Sequence, residues 1–184
     1  MSKRPVIDRN LVLDAAVSVV MERGIAALSI GEVAKAAGIS KGGVQSCFGT
    51  KEGLLEAMVN RWKIDYANAV IARLWPGADV LDNLTTQVQL IAEPDEQLNK
   101  QAAAILSAMF SQESLRSQAN DWYRALLIGS TFESERGKAV RLAFLAATGA
   151  FFLRAFGIMT ISETEWQAFH QDIATLLPTA EPAP

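Results

Sequence analysis

The sequence predicts an all-α fold, and three observations support this prediction. Apolar residues recur at the i, i+3, i+4 and i+7 positions of a helical face through most of the 184 residues. Residues that favour helix N-caps stand before these segments, and glycine or proline follows them. The sequence contains neither the alternating pattern of a half-buried strand nor an internal repeat. Half of the residues are apolar, which suffices for a core.

The first two predicted helices end at glycines. Helix 1 covers about residues 8–23 and ends at Gly24. Its apolar stripe contains Val12, Ala15, Ala16, Val19 and Val20. Helix 2 begins at Ser29, which fits a capping box with Glu32, and ends at Gly38, because glycine accepts the left-handed cap conformation at little cost. Its apolar face contains Ile30, Val33, Ala34 and Ala37.

A third short helix follows this glycine turn, with Ser40 as its N-cap. Val44 and Phe48, four residues apart, form its inner face. Its outer face carries Lys41, Gly42, Gly43, Gln45 and Ser46. Two short helices joined by a tight turn are typical of a helix-turn-helix, whose second helix enters the DNA major groove.

The outer face of helix 3 carries the candidate base and phosphate contacts. Gln45 can pair with adenine, and Ser46 can bond to either kind of base. Gly42 and Gly43 each weaken a helix by about 1 kcal/mol relative to alanine, which favours a role in close approach of the backbone to DNA. The alternative is a solvated helix face with no partner.

A long fourth helix is predicted from the cap at Thr50 to about Leu74. Its inward positions are Leu55, Met58, Val59, Trp62, Tyr66, Ala69 and Val70. Lys51 lies in its first turn, where a cation is unfavourable unless an anion such as a phosphate is near. We therefore predict a head over residues 1–51 that continues through this helix to about residue 74.

The remaining chain is predicted to be a helical body over residues 75–177, followed by a disordered tail over 178–184. Its helices are predicted at Val80–Ile91, Leu98–Phe110, Leu115–Ile128, Arg136–Phe156 and, after a capping box at Ser162 and Glu165, through Leu177.

The long helix over 136–156 is apolar nearly all round. Small residues on one face, namely Ala139, Ala143, Ala146, Ala147 and Ala150, permit close approach of a partner helix, while the large Leu142, Phe151 and Leu153 fill a core. The alternative is an internal core helix.

The charges are distributed unevenly. The net charge is −3, but residues 1–51 carry seven basic and four acidic residues, so the remainder is strongly acidic. A basic head on an acidic body is the division expected of a DNA-reading protein, although ordinary fluctuation explains it equally well. Residues 1–7 are predicted to be a mobile arm, in which Lys3 and Arg4 either add DNA contacts or are solvated.

Residues 9–62 resemble the N-terminal domain of the tetracycline-repressor (TetR) family. The matching positions are Ala15, Ala16, Gly24, Leu28, Ser29, Ile30, Ala34, Ala37, Gly38, Ser40, Lys41, Gly42, Phe48, Lys51, Glu52 and Leu54. The chain departs from the family at Gln45, where tyrosine is usual, and at Cys47, where histidine or tyrosine is usual; both positions commonly contact phosphates in the family. The resemblance and the pattern together give the DNA-contact candidates Ser29, Lys41, Gly42, Gly43, Gln45, Ser46, Cys47 and Lys51.

The resemblance also implies a homodimer, formed through the last long helices as a four-helix bundle, and a small-molecule cavity in the body. Its candidate lining residues are Trp62, Tyr66, Met109, Phe110, Trp122 and Tyr123, which structural packing explains about as well. The ligand is expected to be apolar or amphipathic. The implied function is a ligand-responsive transcriptional repressor that binds double-stranded DNA at a pseudo-palindromic operator.

Other classes of function find little support in the sequence. His170 is the only histidine and Cys47 the only cysteine, so neither a zinc site, a cofactor site nor an internal disulfide is expected. No catalytic constellation is apparent, no apolar run reaches the length of a bilayer span, and a cytoplasmic location is expected. The rival interpretation is an all-α protein–protein interaction adaptor whose helix-turn-helix is only structural.

Overall fold

A computed structural model describes residues 7–93 and 96–177, and the regular structure within these ranges is entirely helical. The α-helices are α1 (Arg9–Arg23), α2 (Ile30–Ala36), α3 (Lys41–Phe48), α4 (Lys51–Ile71), α5 (Val80–Ala92), α6 (Glu96–Ser111), α7 (Glu113–Leu127), α8 (Glu135–Ala155) and α9 (Glu163–Ala174). Two single 3₁₀ turns lie at Ile25–Ala27 and Ser130–Glu133. The predicted all-α fold is confirmed. The predicted tail over 178–184, and Lys3 and Arg4 of the predicted arm, lie outside the described residues.

The predicted helix boundaries agree closely with the structure, and most caps were identified correctly. The side chain of Ser29 accepts a hydrogen bond from the Glu32 amide at 3.2 Å, as expected. The Glu32 carboxylate, however, forms an ion pair with Arg23 at 2.6 Å instead of completing the capping box. The box at Ser162 and Glu165 is complete. Helix α4 ends at Ile71 rather than near residue 74, and α9 ends at Ala174 rather than at Leu177; turn bonds continue over the next three residues in both cases.

Among the described residues, the chain divides into two compact units, and the division passes through α4 and α7. The first unit contains residues 7–65 and 97–119, and the second contains 66–93, 96 and 120–177. The sequence-based boundary near residue 74 stays a prediction. In the first unit, α1 packs on α2 and α2 packs on α3. The buried residues of this region include Val12, Ala16, Val33, Ala34, Val44, Leu54, Leu55, Met58 and Val59.

The core of the second unit forms where α5 packs on α8, with α9 against both helices. Its buried members are Leu81, Leu84, Val88, Phe132, Val140, Ala143, Phe144, Ala147 and Ile173. Arg136 at the start of α8 bridges two carboxylates at the start of α5, Asp79 at 2.6 Å and Asp82 at 2.5 Å. The Trp166 indole of α9 donates to the Ala92 carbonyl at the end of α5. Contacts at both ends of α5 therefore reinforce its apolar packing.

The two faces of α8 differ from the sequence prediction. Ala143 and Ala147 are completely buried within the chain's own core, whereas Leu142 and Leu153, predicted to fill a core, are 57% and 39% exposed. The reason is geometric: small side chains let α8 lie close to α5, so the alanine face points inward. The expectation that large residues form the inner face is correct for Phe151 and wrong for the two leucines.

Candidate functional site

The predicted helix-turn-helix is formed by α2, a glycine turn and α3. Gly38 in the turn has a φ of 67°, a left-handed conformation that favours glycine. The Ser40 hydroxyl accepts from the Gly43 amide at 3.0 Å and caps α3. Val44 is 0% exposed and Phe48 is 8% exposed, so the predicted inner face of α3 is buried. The motif is therefore anchored by two apolar side chains and leaves the opposite face of α3 open.

That open face contains the predicted contact residues. Lys41, Gly42, Gln45 and Ser46 are exposed, while Gly43 and Cys47 are half-buried. Ser46 donates from its hydroxyl to the Gly43 carbonyl at 2.8 Å, so it can still accept a hydrogen bond. Ser29 is exposed at the start of α2. The arrangement places polar donors and acceptors along one side of a short helix, as base reading requires.

The two glycines of α3 differ in their surroundings. A Cβ at Gly42 would meet only the Ser40 hydroxyl, at 3.9 Å, so that surface is open to a close partner. A Cβ at Gly43 would lie 2.9 Å from Ile7 Cδ1 and 3.4 Å from Ile39 Cδ1. Gly43 thus faces the side chains of Ile7 and Ile39 instead of open space, a contact that sequence reasoning missed. Its contact with DNA stays a prediction.

Lys41 packs across the beginning of α2. A Cβ at Gly31 would lie 2.9 Å from its Cε and 3.4 Å from its Nζ. Hydrogen bonding and charge from Arg23, with smaller effects of Lys35 and Lys41, lower the pKa of the Glu32 carboxyl below its ordinary value. The ammonium group of Lys41 therefore lies in the field of a carboxylate on α2. The contact between Gly31 and Lys41 was not predicted, because it depends on how α3 packs on α2.

Lys51 lies in the first turn of α4 and is half-buried. The preceding Thr50 hydroxyl accepts from the Gly53 amide at 3.2 Å, which confirms the predicted cap. Lys51 forms no ion pair within the described part of the chain, and its cation stands at the positive end of α4 beside the Glu52 carboxylate of the same turn. This position suits an external anion.

The six predicted ligand-pocket residues are divided between the two units. Trp62, Met109 and Phe110 belong to the first unit, and Tyr66, Trp122 and Tyr123 to the second. Met109 is buried, Trp62, Tyr66 and Tyr123 are half-buried, and Phe110 and Trp122 are exposed. In the second unit the Trp122 and Tyr123 rings meet edge-on, with centroids 4.7 Å apart.

Tyr66 belongs to a polar chain that the sequence did not reveal. Its hydroxyl donates to Gln87 Oε1 at 3.3 Å, and Gln87 Nε2 donates to Asn83 Oδ1 at 2.7 Å. Gln87 is only 4% exposed, so its amide needs such partners. Burial raises the pKa of Tyr66, and the nearby Tyr123 raises it further; burial also raises the pKa of Tyr123. Both phenols are therefore neutral hydrogen-bonding groups near neutral pH.

The five predicted interface alanines do not share one environment. Ala143 and Ala147 are buried in the core of the second unit, Ala139 and Ala150 are half-buried, and Ala146 is exposed. The exposed side of α8 contains Ala146 with Leu142, Leu145 and Leu153. An interface formed by α8 would use this side, because Ala143 and Ala147 have no surface to offer a partner.

Neither a metal centre nor a membrane span is found in the described ranges. Residues 7–93 and 96–177 contain no group of three His, Cys, Asp or Glu side chains placed to hold a metal ion. No helix in those ranges is long and apolar enough to cross a bilayer. The capped α2, the Gly38 turn and α3, whose apolar face is buried and whose polar face is exposed, together form the motif of the helix-turn-helix class.

Comparison with known proteins places the chain within that class. Residues 12–58 match the family described as bacterial regulatory proteins, tetR family. Residues 83–178 match the tetracyclin repressor-like, C-terminal domain. Since the second match alone covers more than half of the chain, the chain belongs to the tetracycline-repressor (TetR) family, and the resemblance noted in its sequence is confirmed.

Individual relatives are more distant. The HTH-type transcriptional regulator BetI of Cronobacter sakazakii is 35% identical over 86 residues, which are 47% of this chain and 41% of that protein. The multidrug binding protein EbrR, solved with malachite green, is 21% identical with a TM-score of 0.66, covering 93% and 98% of the two chains. The fatty acid degradation regulator FadR from Bacillus halodurans is 20% identical with a TM-score of 0.66, covering 96% of each chain. The two structures share the fold.

Proposed function

We propose that the chain is a homodimeric transcriptional repressor that binds a pseudo-palindromic DNA operator and releases it when a small molecule binds. The observation that carries the proposal is the exposed polar face of α3, which presents Lys41, Gln45 and Ser46 beside the open backbone at Gly42. Lys51, which forms no ion pair among the described residues, supplies a phosphate contact at the start of α4. No catalytic activity is assigned to the chain.

The dimer is proposed to form through the exposed side of α8. Leu142, Leu145 and Leu153 are 57%, 50% and 39% exposed. Together they form an exposed apolar surface, which is typical of protein–protein interfaces. A two-fold dimer places its two copies of α3 in successive major grooves, about 34 Å apart. The operator is therefore expected to contain two inverted half-sites spaced by about one helical turn.

The effector is proposed to be a small apolar or amphipathic molecule. In the second unit, Tyr66, Trp122 and Tyr123 offer aromatic rings, and the Tyr66–Gln87–Asn83 chain offers uncharged hydrogen-bonding groups. EbrR, which shares the fold, has been solved with malachite green and with ethidium. Such a ligand need only bind more tightly to the state that does not fit the operator.

A selection from random duplexes tests the DNA-binding part of the proposal. The wild-type protein is expected to enrich an inverted repeat, and its affinity is expected to fall steeply as the salt concentration rises. The enriched duplex is then titrated against dye and acyl ligands while protein melting is followed, because a ligand of the folded state raises the melting temperature. Enrichment of no sequence, with no salt-dependent binding, would favour a protein–protein adaptor instead.

A substitution at Trp62 tests the ligand-binding part. Trp62→Ala is expected to reduce release of DNA by an effective ligand, while DNA affinity without ligand stays within about tenfold of wild type. If Trp62 instead contributes mainly to the core, the change costs about 3–5 kcal/mol of stability. Melting temperature and DNA affinity measured on the same preparation distinguish these results. A folded variant with a normal ligand response would remove Trp62 from the pocket.

A further inference from the structure

The segment leading into α1 contacts the recognition helix α3 at both ends. We call residues 7–9 the lead-in segment. Ile7 packs over the first turn of α3, where its Cδ1 would lie only 2.9 Å from a Cβ at Gly43. At the other end, the Arg9 guanidinium lies 4.4 Å from the centroid of the Phe48 ring and donates from Nη1 to the Cys47 carbonyl. Three consecutive residues thus span the length of α3.

Helix α3 depends on such contacts. It has eight residues, and helices this short are unstable in water without tertiary packing. Gly42 and Gly43 weaken it further, by about 1 kcal/mol each relative to alanine. The last carbonyls of a helix lack partners within the helix and carry partial negative charge. A guanidinium at the Cys47 carbonyl meets both needs, because it donates a hydrogen bond and brings a positive charge.

The lead-in segment is itself held in place within the first unit. Asp8 caps α1 by accepting from the Asn10 amide at 2.8 Å. The Arg61 side chain of α4 donates to the Asn10 carbonyl at 3.1 Å and pairs with Asp14 at 2.8 Å. The start of α1 therefore has a defined position, and the Arg9 side chain joins it to the C-terminal end of α3. The match to the family's N-terminal model begins at residue 12, so it does not include the lead-in segment.

We infer that Arg9 is a positioning residue for DNA reading, which holds α3 at the angle its base contacts require and does not itself bind phosphate. The inference rests on the proposed DNA-binding function. Its physical basis is that the planar guanidinium is already engaged, through one face by the Phe48 ring and through Nη1 by the Cys47 carbonyl. Loss of Arg9 should therefore impair discrimination between sequences more than it impairs attraction to DNA.

The test compares the duplex that the wild-type protein selects with a scrambled duplex of equal length, over a range of salt concentrations. For Arg9→Gln we expect affinity for the selected duplex to fall about 5- to 50-fold, which corresponds to damage to one base contact. Affinity for the scrambled duplex should stay within about twofold of wild type. The salt slope, which is the slope of the logarithm of the binding constant against the logarithm of the salt concentration, should stay within about 0.5 of wild type, because loss of one phosphate contact would change this slope by about 0.9.

Two further variants sharpen the comparison. Arg9→Lys keeps the charge but not the planar face, so it should recover little of the lost discrimination. Arg73→Gln removes an arginine of the second unit, where it pairs with Glu93, and should leave discrimination unchanged. Melting curves establish that each variant is folded, which we expect because Arg9 is exposed. If Arg9→Gln does not fold, Arg9→Lys and Ile7→Ala carry the test, and Ile7→Ala should lose discrimination in the same way.

Two results would overturn the inference. Equal losses on both duplexes, with a smaller salt slope that Arg9→Lys restores, would make Arg9 a phosphate contact. Wild-type behaviour of Arg9→Gln and Ile7→Ala would show that α3 keeps its orientation without the lead-in segment. A wild-type protein that selects no duplex at all would instead overturn the proposed function, and this inference with it.

Discussion

The Arg61 guanidinium lies 2.8 Å from Asp14 Oδ1, which joins α4 to α1 by an ion pair. The Arg61 side chain is 26% exposed, and the same Nη1 atom also donates to the Asn10 carbonyl. Within the first unit, α1 is thus held to α4 at two points, and α1 in turn contacts α3 through Ile7 and Arg9. Within the first unit, α3 is therefore linked to α4 through α1.

Removing this ion pair should weaken the first unit modestly. We expect Arg61→Gln to lower the free energy of unfolding by about 1 kcal/mol, because the pair is partly exposed and screened by solvent. The loss should shrink as salt is added. Urea unfolding of Arg61→Gln, Asp14→Asn and the double variant measures the coupling between the two side chains. A coupling energy of zero would mean that the pair does not join the helices in solution.

Lys51 and Gln45 should contribute differently to DNA binding. Lys51→Ala is expected to weaken binding to every duplex and to reduce the salt slope by about 1, because one phosphate contact is lost. Gln45→Ala should change the preferred sequence, at a cost of about 1–3 kcal/mol on the selected duplex. Binding isotherms on selected and random duplexes at several salt concentrations make the comparison. Indistinguishable behaviour of the two variants would contradict the assigned roles.

Two substitutions in α8 distinguish the proposed dimer interface from the core of the second unit. Leu142→Glu places a charge on the exposed side and should give a folded monomer. Ala147→Glu places a carboxylate in the core of the second unit, where Ala147 is 0% exposed, and should unfold the chain at a cost of several kcal/mol. Light scattering and circular dichroism report mass and fold. If Leu142→Glu still forms a stable dimer, the interface does not lie on this side of α8.

His170 should make stability depend on pH. Its Nδ1 donates to the Trp166 carbonyl at 2.9 Å, its ring lies 4.1 Å from the Trp166 ring, and it is 8% exposed. Burial, with a smaller effect from Arg154, lowers its pKa below the ordinary value near 6.5. Between these two pKa values the unfolded chain takes up a proton that the folded chain resists, so stability is lost as pH falls below about 6.5.

The measurement compares the free energy of unfolding at pH about 7.5 and about 5. His170→Phe keeps an aromatic ring on Trp166 but cannot titrate, so its stability should change less over this range than that of the wild type. The carboxylates of the chain titrate in both proteins and cancel in the comparison. An identical pH dependence of the two proteins would show that His170 is protonated as readily in the folded state as in the unfolded one.

Local signals made the helices and the DNA-reading motif predictable. The Ser40 cap, the Gly38 turn and the pair Val44 and Phe48 lie within eleven residues, and the structure contains each as expected. Helical periodicity and capping reflect interactions between residues a few positions apart, so a single sequence displays them. The candidate ligand residues carried no such signal, because an aromatic side chain on a helix fits a core and a pocket equally well.

What the sequence determined by itself was therefore the order and extent of the helices, the helix-turn-helix and the family to which the chain belongs. Only the tertiary structure decided which side of α8 faces inward, that Gly43 faces Ile7, and that Arg9 meets Cys47 and Phe48 thirty-eight or more positions along the chain. The physical reason is the range of the interactions. Caps and turns are short-range, whereas the packing of Ala147 or the partner of Arg9 depends on which distant helices come together.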